Sequence, residues 1–355
     1  MKNHILLTLI FPLCFGCLTS CEKEKIYDPT ISAADMQAAV AKLKPGKDPI
    51  EEEIKAFRAK VGEAFGKKSW DELETIAKEI RASKKVFDNG SWKIVQFYNS
   101  FNCWDGNSES AMQELERIFK AWVVEKPDSI TARVAYADFL TSYAWKARGT
   151  GYADTITEEG GRLFEQRLAL AHEVLTESRK LPEKDPYWWM VASNVALGES
   201  WPKEEFDAMV AEASAFEPKF WGYHSSRAYS LLPRWYGNEG DWEKYAEQEA
   251  ARPDGLGAEF YARIVNRLQV FYKNIFAETK ASRAKTLEGL ELMLKRYPNS
   301  YEIINEVAMI ASMAQDHVLA KKMFDRLGAT YSPSVWGKAE RFVRFKKWSD
   351  ELGPK

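Results

Sequence analysis

Residues 300–333 read SYEIINEVAMIASMAQDHVLAKKMFDRLGATYSP. With Tyr301 as position 1, Ala308 falls at 8, Ala311 at 11, Ala320 at 20, Phe324 at 24 and Leu327 at 27. A helix–turn–helix unit of the tetratricopeptide type, roughly 34 residues long, needs small or bulky side chains at those positions. Alanine at 8 and 20 lets two helices approach closely, and Phe at 24 fills the gap to the next unit. Pro298 stops the preceding helix. A degenerate copy follows Pro127, with Ala132, Ala137 and Leu140, then Ala171, Leu175 and Ser178 after an insertion. A third starts after Pro218.

The rest of the chain keeps the helical period. Trp70, Leu73, Ile76, Ala77 and Ile80 make one apolar face. Leu115, Ile118, Phe119 and Trp122 make a second, and Leu287, Leu290, Leu294 and Tyr297 a third. Strand-type alternation is missing. Proline and glycine breaks leave about sixteen helices of roughly 12–25 residues. The expected class is all-α, a right-handed superhelical stack of antiparallel helix pairs, with an irregular helical domain as the alternative. Three helical regions are expected: 32–126, 127–252 with the central repeats, and 253–355 with the C-terminal repeats.

The chain has 355 residues, of which 45% are hydrophobic, enough for a large core. Its 50 Lys+Arg against 52 Asp+Glu exclude the basic excess that nucleic-acid binding requires. Three of its four cysteines, Cys14, Cys17 and Cys21, crowd into the first 21 residues, and the fourth is Cys103. Residues 1–21 read MKNHILLTLIFPLCFGCLTSC. The apolar run from Ile5 to Leu18 is shorter than the ~20 residues of a spanning helix. Behind Lys2 it fits a cleaved secretory segment. Leu18-Thr19-Ser20-Cys21 resembles a bacterial lipobox, apolar then small, small and Cys. Cys17 is a weaker candidate, because the bulky Phe15 would take the second position before it. An ordinary secretory signal or an uncleaved anchor is the other reading. On the lipobox reading, residues 1–20 leave, Cys21 takes a diacylglycerol, and residues 21–31 form a tether. Several acyl chains hold a protein on a membrane where one does so only marginally. The expected location is the bacterial cell envelope, facing the periplasm, on the outer membrane in preference to the inner.

Two strings are distinctive. Residues 144–168 read AWKARGTGYADTITEEGGRLFEQRL and residues 231–242 read LLPRWYGNEGDW. With the intervening LAHEVLTESRKLPEKDPYWWMV, the stretch of about residues 100–250 resembles the bacterial "domain of unknown function 4034" proteins. Those carry an AW-x-x-RG-x-G motif and a later PRW-x-G motif. The resemblance implies a helical-repeat fold and brings no catalytic residue with it.

Both motifs fall where helices end. Gly149 can take the positive φ of a helix terminus, and Pro233 closes a helix over 219–232. If helices alternate direction, both long connections lie on one edge of the stack, where solenoids often bind. Trp145, Arg148, Tyr152, Arg234 and Trp235 are therefore candidate binding residues. The alternative places both Trp in the core and both Arg over helix C-terminal carbonyls. Eight aromatics crowd residues 220–245: Phe220, Trp221, Tyr223, Tyr229, Trp235, Tyr236, Trp242 and Tyr245. Tyr187-Trp188-Trp189 adds a second cluster. These rings suit a core, or an aromatic-lined concave surface for a peptide, a sugar or an apolar chain.

Chemistry-bearing motifs are sparse. In the mature chain of the lipobox reading, His172, His224 and His317 stand apart, with no HExxH helix and no paired cysteines. No metal and no cofactor is expected. Cys103 reads as a buried apolar residue. His224-Ser225-Ser226 are helix neighbours that point apart. The glycines of RGTGYADT follow a helix and lack the Gly-Lys-Ser/Thr that cradles phosphate. Glu158-Glu159 and Glu204-Glu205 fit acidic first turns of helices. No catalytic residue is assigned. The expected function is an envelope scaffold that binds a protein or peptide partner. The alternatives are a carbohydrate-binding or carbohydrate-active protein using the 187–245 aromatics, and a self-associating structural component. Mass spectrometry of the mature chain should find a diacylglycerol-modified Cys21 at its start, and an unmodified terminus elsewhere would overturn the lipobox reading.

Overall fold

Short polar side chains write the helix starts. Ser129 Oγ accepts the Ala132 N–H at 2.9 Å, Asp185 Oδ1 the Tyr187 N–H at 2.8 Å, and Asp316 Oδ1 the Leu319 N–H at 2.9 Å. Each satisfies an amide that the helix itself leaves unpaired. A computed structural model of the chain describes residues 29–101, 108–149 and 156–353. The signal segment, Cys21, Cys103 and Tyr152 lie outside the described residues.

Among the described residues the chain is all-α, with eighteen helices and one pair of two-residue strands. The first five helices are α1 Ala33–Ala41, α2 Pro49–Gly66, α3 Trp70–Ser83, α4 Lys93–Asn99 and α5 Glu109–Glu125. Five pairs follow: α6 Ile130–Arg148 with α7 Glu158–Ser178, α8 Pro186–Gly198 with α9 Lys203–Phe216, α10 Gly222–Ser230 with α11 Asp241–Ala250, α12 Ala258–Leu268 with α14 Arg283–Arg296, and α15 Tyr301–Met313 with α16 His317–Leu327. The one-turn helices α13 Ile275–Glu278 and α17 Pro333–Trp336 bring the number above the expected sixteen. Helix α18 Ala339–Leu352 closes the chain.

The first helix of each pair is the inner one. Helices α6, α8, α10 and α12 pack in succession, and α14 carries the contact on to α15. Helix α6 is buried on nearly every face, whereas α7 buries only one stripe, including Leu168, Ala171 and Leu175. The alanine pattern works as expected: Ala308, Ala311, Ala320 and Phe324 are fully buried. Helix α14 differs from expectation. It turns Thr286, Gly289, Leu290 and Met293 inward and leaves Leu287, Leu294 and Tyr297 half-buried. The reason is Gly289, where a Cβ would stand 2.1 Å from the Ala258 carbonyl oxygen. Glycine is the contact point because α12 and α14 touch backbone to side-chain shell there. Helix α10 also ends earlier than expected, at Ser230, with Leu231 and Leu232 in the following turn.

The buried core divides inside α10. One apolar cluster runs from Val61 to Tyr223 and the other from Ala228 to Trp348, with Tyr245 packed against both.

The N-terminal region runs along one edge of the paired helices, the edge where inner helices begin. Lys347 Nζ donates to the Thr30 carbonyl at 3.0 Å. Strand β1 Lys44–Pro45 pairs in parallel with β2 Thr330–Tyr331. Asp48 caps two helices at once: Oδ1 accepts the Ile50 N–H of α2 and Oδ2 the Glu302 N–H of α15, both at 3.1 Å. Gly90 packs against Tyr297 and Arg263. The Trp92 ring meets Phe220 edge-on at 5.2 Å, and Lys84 pairs with Glu217 at 2.6 Å.

The tightest fastening is at Asp185, which is 0% exposed. Its Oδ2 accepts from Tyr98 Oη at 2.7 Å and from Arg81 Nη1 at 3.0 Å. Arg81 Nη1 also reaches Thr131 Oγ1 at 2.8 Å, and its Nη2 reaches Glu183 at 2.9 Å. Burial pushes the Asp185 carboxyl up, and Arg81, the Tyr98 hydroxyl and the Tyr187 N–H pull the other way. Burial acts against the Arg81 charge too, but Asp185, Tyr98 and Glu183 together more than offset it and the guanidinium is held above its ordinary value.

His224 is buried in the wall between the two core clusters, facing Tyr245, Glu249 and Arg252. Burial, with Arg252 adding to it, pushes the imidazole down to about 3. The Nδ1 of the neutral ring is hydrogen-bonded to the Tyr245 hydroxyl.

Two measurements follow from these groups. Arg81→Ala strands a buried carboxylate and should lower the unfolding free energy by about 3–5 kcal/mol in urea denaturation. A loss below ~1 kcal/mol would contradict that role. For His224, the unfolded imidazole takes up a proton near pH ~6.5 that the folded one refuses until about 3. Its contribution to stability is complete above the unfolded value and is lost as pH falls. His224→Gln should flatten the decline in stability between about pH 6.5 and pH 4 by up to ~1.4 kcal/mol per pH unit, and an unchanged slope would exclude this assignment.

Candidate functional site

The opposite edge gathers the ends of the inner helices and the starts of the outer ones. Its connections are residues 199–202, 231–240, 269–282 and 314–316, and the one that leaves Gly149 lies mostly outside the described residues. Among the described residues, the hydrogen bonds, ion pairs and ring contacts of residues 29–98 do not reach these connections.

Helix α6 ends at Gly149, with φ 76°. In its last turn the Trp145 ring meets Phe164 of α7 edge-on at 5.0 Å. Trp145 Cζ2 also packs against Gly198, the last residue of α8. The Arg148 guanidinium lies 5.5 Å from the Trp145 ring, and Nη1 is 3.4 Å from the Gly149 carbonyl oxygen. Further along, Tyr236 is 52% exposed, and its hydroxyl lies 2.7 Å from Ser200 Oγ and 3.3 Å from the Leu197 carbonyl oxygen. Trp235 is half-buried with its edge on Tyr229 at 5.3 Å, and its Nε1 has no hydrogen-bond partner. Arg234 is exposed, with its guanidinium 5.3 Å over Phe271.

The expected binding residues thus form two clusters, Trp145 with Arg148 and Arg234 with Trp235. Among the described residues no hydrogen bond, ion pair or ring contact joins the two clusters. Both reach the last turn of α8, Trp145 at Gly198 and the neighbour of Trp235 at Leu197 and Ser200. Neither Trp is fully buried, and both Arg lie against aromatic faces. Tyr152 lies outside the described residues.

A pocket of about 490 Å³ opens beside Arg234. The turn Leu232-Pro233-Arg234 forms one side, and Phe271, Tyr272 and Ala277 the other. The first turn of α11 supplies the floor, Trp242 at 1% exposure and Glu243 at 5%. Glu239, Glu278 and Lys280 stand on the rim. Glu243 Oε1 accepts the Lys280 backbone N–H at 2.9 Å, and Oε2 has no hydrogen-bond partner. Glu278 Oε1 accepts the Asn274 N–H at 2.7 Å. Burial pushes the Tyr272 hydroxyl up, and the Glu243 and Glu278 carboxylates add to it, so it stays protonated.

Sequence reading missed Glu243, Phe271, Tyr272 and Lys280. One signal was available: Glu243 lies three residues before Ala246, on the flank of the inward stripe Trp242–Tyr245–Ala246. The others come from the 269–282 connection, which has no periodicity to read.

The aromatic run is mostly packing. Tyr187, Trp188, Trp189, Phe220, Tyr223 and Trp242 are all buried. The side chains of 224–226 diverge: His224 meets Tyr245, Ser225 meets Arg267 Nε at 2.9 Å, and Ser226 meets Asn194 at 2.6 Å. Glu158-Glu159 and Glu204-Glu205 lie in first turns of α7 and α9. No group of three His, Cys, Asp or Glu that could hold a metal ion occurs among the described residues, and none of their helices is long and apolar enough to cross a membrane. No protein-family model, curated protein or solved structure matches the chain.

Proposed function

We propose that the chain is a helical-repeat scaffold that binds a protein or peptide partner along its uncovered edge. In this reading the paired helices are a right-handed superhelical stack of the tetratricopeptide type, and the diacylglycerol on Cys21 holds them at the bacterial envelope. The single observation that carries it is the asymmetry of the two edges. The chain's own N-terminal region fastens along one, through Asp48, Gly90, Trp92 and Arg81. The other keeps its long connections, with Arg234 and Tyr236 exposed beside a pocket. Helix-pair stacks bind through surfaces that extend over several units, because each unit contacts only its neighbours.

Site-specific photo-crosslinking in the native cell tests this. A crosslinking residue in place of Arg148 or Tyr236 should form a protein adduct. The same residue in place of Asp128 or Lys219, on the fastened edge, should form none. Equal adducts from both edges, or none from either, would overturn the proposal.

A further inference from the structure

The last helices carry a charge that the rest of the chain does not. Helix α18 packs against α16, α17 and α1, and β1 pairs with β2 beside them. The residues of this end, 33–47 and 317–353, hold 11 Lys+Arg against 5 Asp+Glu, a net of +6. The remaining 39 Lys+Arg stand against 47 Asp+Glu, a net of −8. A chain close to neutral overall is therefore polarised, basic where it closes and acidic elsewhere.

Most acids of this end already have partners. Asp325 and Asp350 pair with Lys321 at 2.8 and 3.3 Å, and Asp350 also with Lys346 at 3.3 Å. Glu351 lies 3.7 Å from Lys347, and Asp35 accepts from Ser32 Oγ at 2.7 Å. Lys42, Lys44, Lys47, Lys322 and Lys338 are all exposed, and their ammonium groups form no ion pair or hydrogen bond with the described residues. Against these five cations stands one acid without an ion pair among the described residues, the exposed Glu340. The positive excess is thus carried by side chains free to meet an outside anion.

The chain also enters the fold at this end, where Lys347 Nζ donates to the Thr30 carbonyl at 3.0 Å. Thr30 is nine residues beyond Cys21, a reach of at most ~30 Å. A lipid on Cys21 would keep this end within that distance of a bilayer, but it would set no orientation. Charge can set it: a lysine at an anionic bilayer surface strengthens binding about fivefold, whereas the acidic remainder of the chain is repelled. We propose that this end of the molecule lies on an anionic phospholipid bilayer, with Lys42, Lys44, Lys47, Lys322 and Lys338 supplying the attraction to the lipid phosphates. It is a second attachment that presupposes the acylated Cys21 of the scaffold reading. An acyl anchor and a basic patch are the usual two-part means of holding a protein on a membrane.

The probe is a phosphatidylcholine vesicle containing about one third phosphatidylglycerol, mixed with the mature chain from residue 21 carrying Cys21→Ser, so that no acyl chain contributes. Co-sedimentation should show binding at ~0.1 M salt that weakens about tenfold or more at ~0.5 M and is absent on phosphatidylcholine alone. Lys42→Gln, Lys44→Gln, Lys47→Gln, Lys322→Gln and Lys338→Gln together should weaken it about tenfold or more with the melting temperature unchanged. Removing as many charges elsewhere, by Lys60→Gln, Lys78→Gln, Lys85→Gln, Lys273→Gln and Lys280→Gln, should leave it within about twofold. Where the first set fails to fold, amine-reactive labelling of the chain with all its lysines decides, since vesicles should protect Lys42, Lys44 and Lys338 and leave Lys60 and Lys78 reactive. No binding to the phosphatidylglycerol vesicle, equal binding to phosphatidylcholine, or equal loss from the two sets overturns the proposal. Acylated Cys21 without vesicle binding would sink the basic end alone. Vesicle binding by a chain that the cell never acylates would keep the basic end and sink the anchor.

Discussion

The buried ion pair of Arg81 with Asp185 is the constraint on which the arrangement of the edges depends. Asp185 has no exposure, so its charge survives only because three donors converge on it. Each donor comes from a different place: Arg81 from α3, the Tyr98 hydroxyl from α4, and the Tyr187 amide from the start of α8. Arg81 then extends to Thr131 on α6. A buried pair of this sort contributes little net stability over an apolar packing, but removing one partner is expensive. It therefore acts as a registration device. The N-terminal helices can sit at only one position along the inner helices without stranding a charge. Asp48, which caps α2 and α15 together, fixes the far end of the same region in the same way.

What lies between those two fastenings decides which surface is left over. Inner helices touch through small residues such as Ala308 and Ala311, and the α12–α14 pair touches through Gly289. Close packing of that kind excludes ligands from the interior, because protein cores carry few voids. The aromatic run obeys the same rule, with Phe220, Tyr223 and Trp242 consumed as core. One place where space remains is between connections too long to pack flat. Residues 231–240 and 269–282 are the long ones, and the pocket lies between them.

The helix pairs were legible in the sequence because their determinants are local. Alanine spacing, serine and aspartate caps, and Gly149 each act within a few residues of themselves. The fold-back of the N-terminal region was not legible, since its determinants are pairs far apart in the chain. Arg81 and Asp185 are 104 residues apart, and Asp48 and Glu302 are 254 apart. Nothing about Asp48 alone distinguishes a cap for one helix from a cap for two. Glu243 is an intermediate case. Its place on the inward flank of α11 was readable, but its partnership with the Lys280 amide was not. Trp145, Arg148, Arg234 and Trp235 were found through motifs, and the motifs mark helix ends, which is why they all fall on one edge.

That edge also has an electrostatic character that follows from helix polarity. Inner helices end there, and helix C-termini favour cations; outer helices begin there, and N-termini favour anions. Helices α6 and α12 follow the first preference and α7, α9 and α11 the second, whereas α8 and α15 end without a basic residue and α14 and α16 begin without an acidic one. Lys146 and Arg148 end α6, and Arg267 stands in the last turn of α12. Glu158 and Glu159 open α7, Glu204 and Glu205 open α9, and Asp241 and Glu243 open α11. The cations ending α6 and α12 and the carboxylates opening α7, α9 and α11 therefore share this edge. A uniformly charged polymer meets as much repulsion as attraction on such a surface. A chain segment with both signs of charge close together meets complementarity at the α6–α7 pair. The near-equality of 50 basic and 52 acidic residues, which first excluded nucleic acid, has its counterpart here in a surface built for mixed charge.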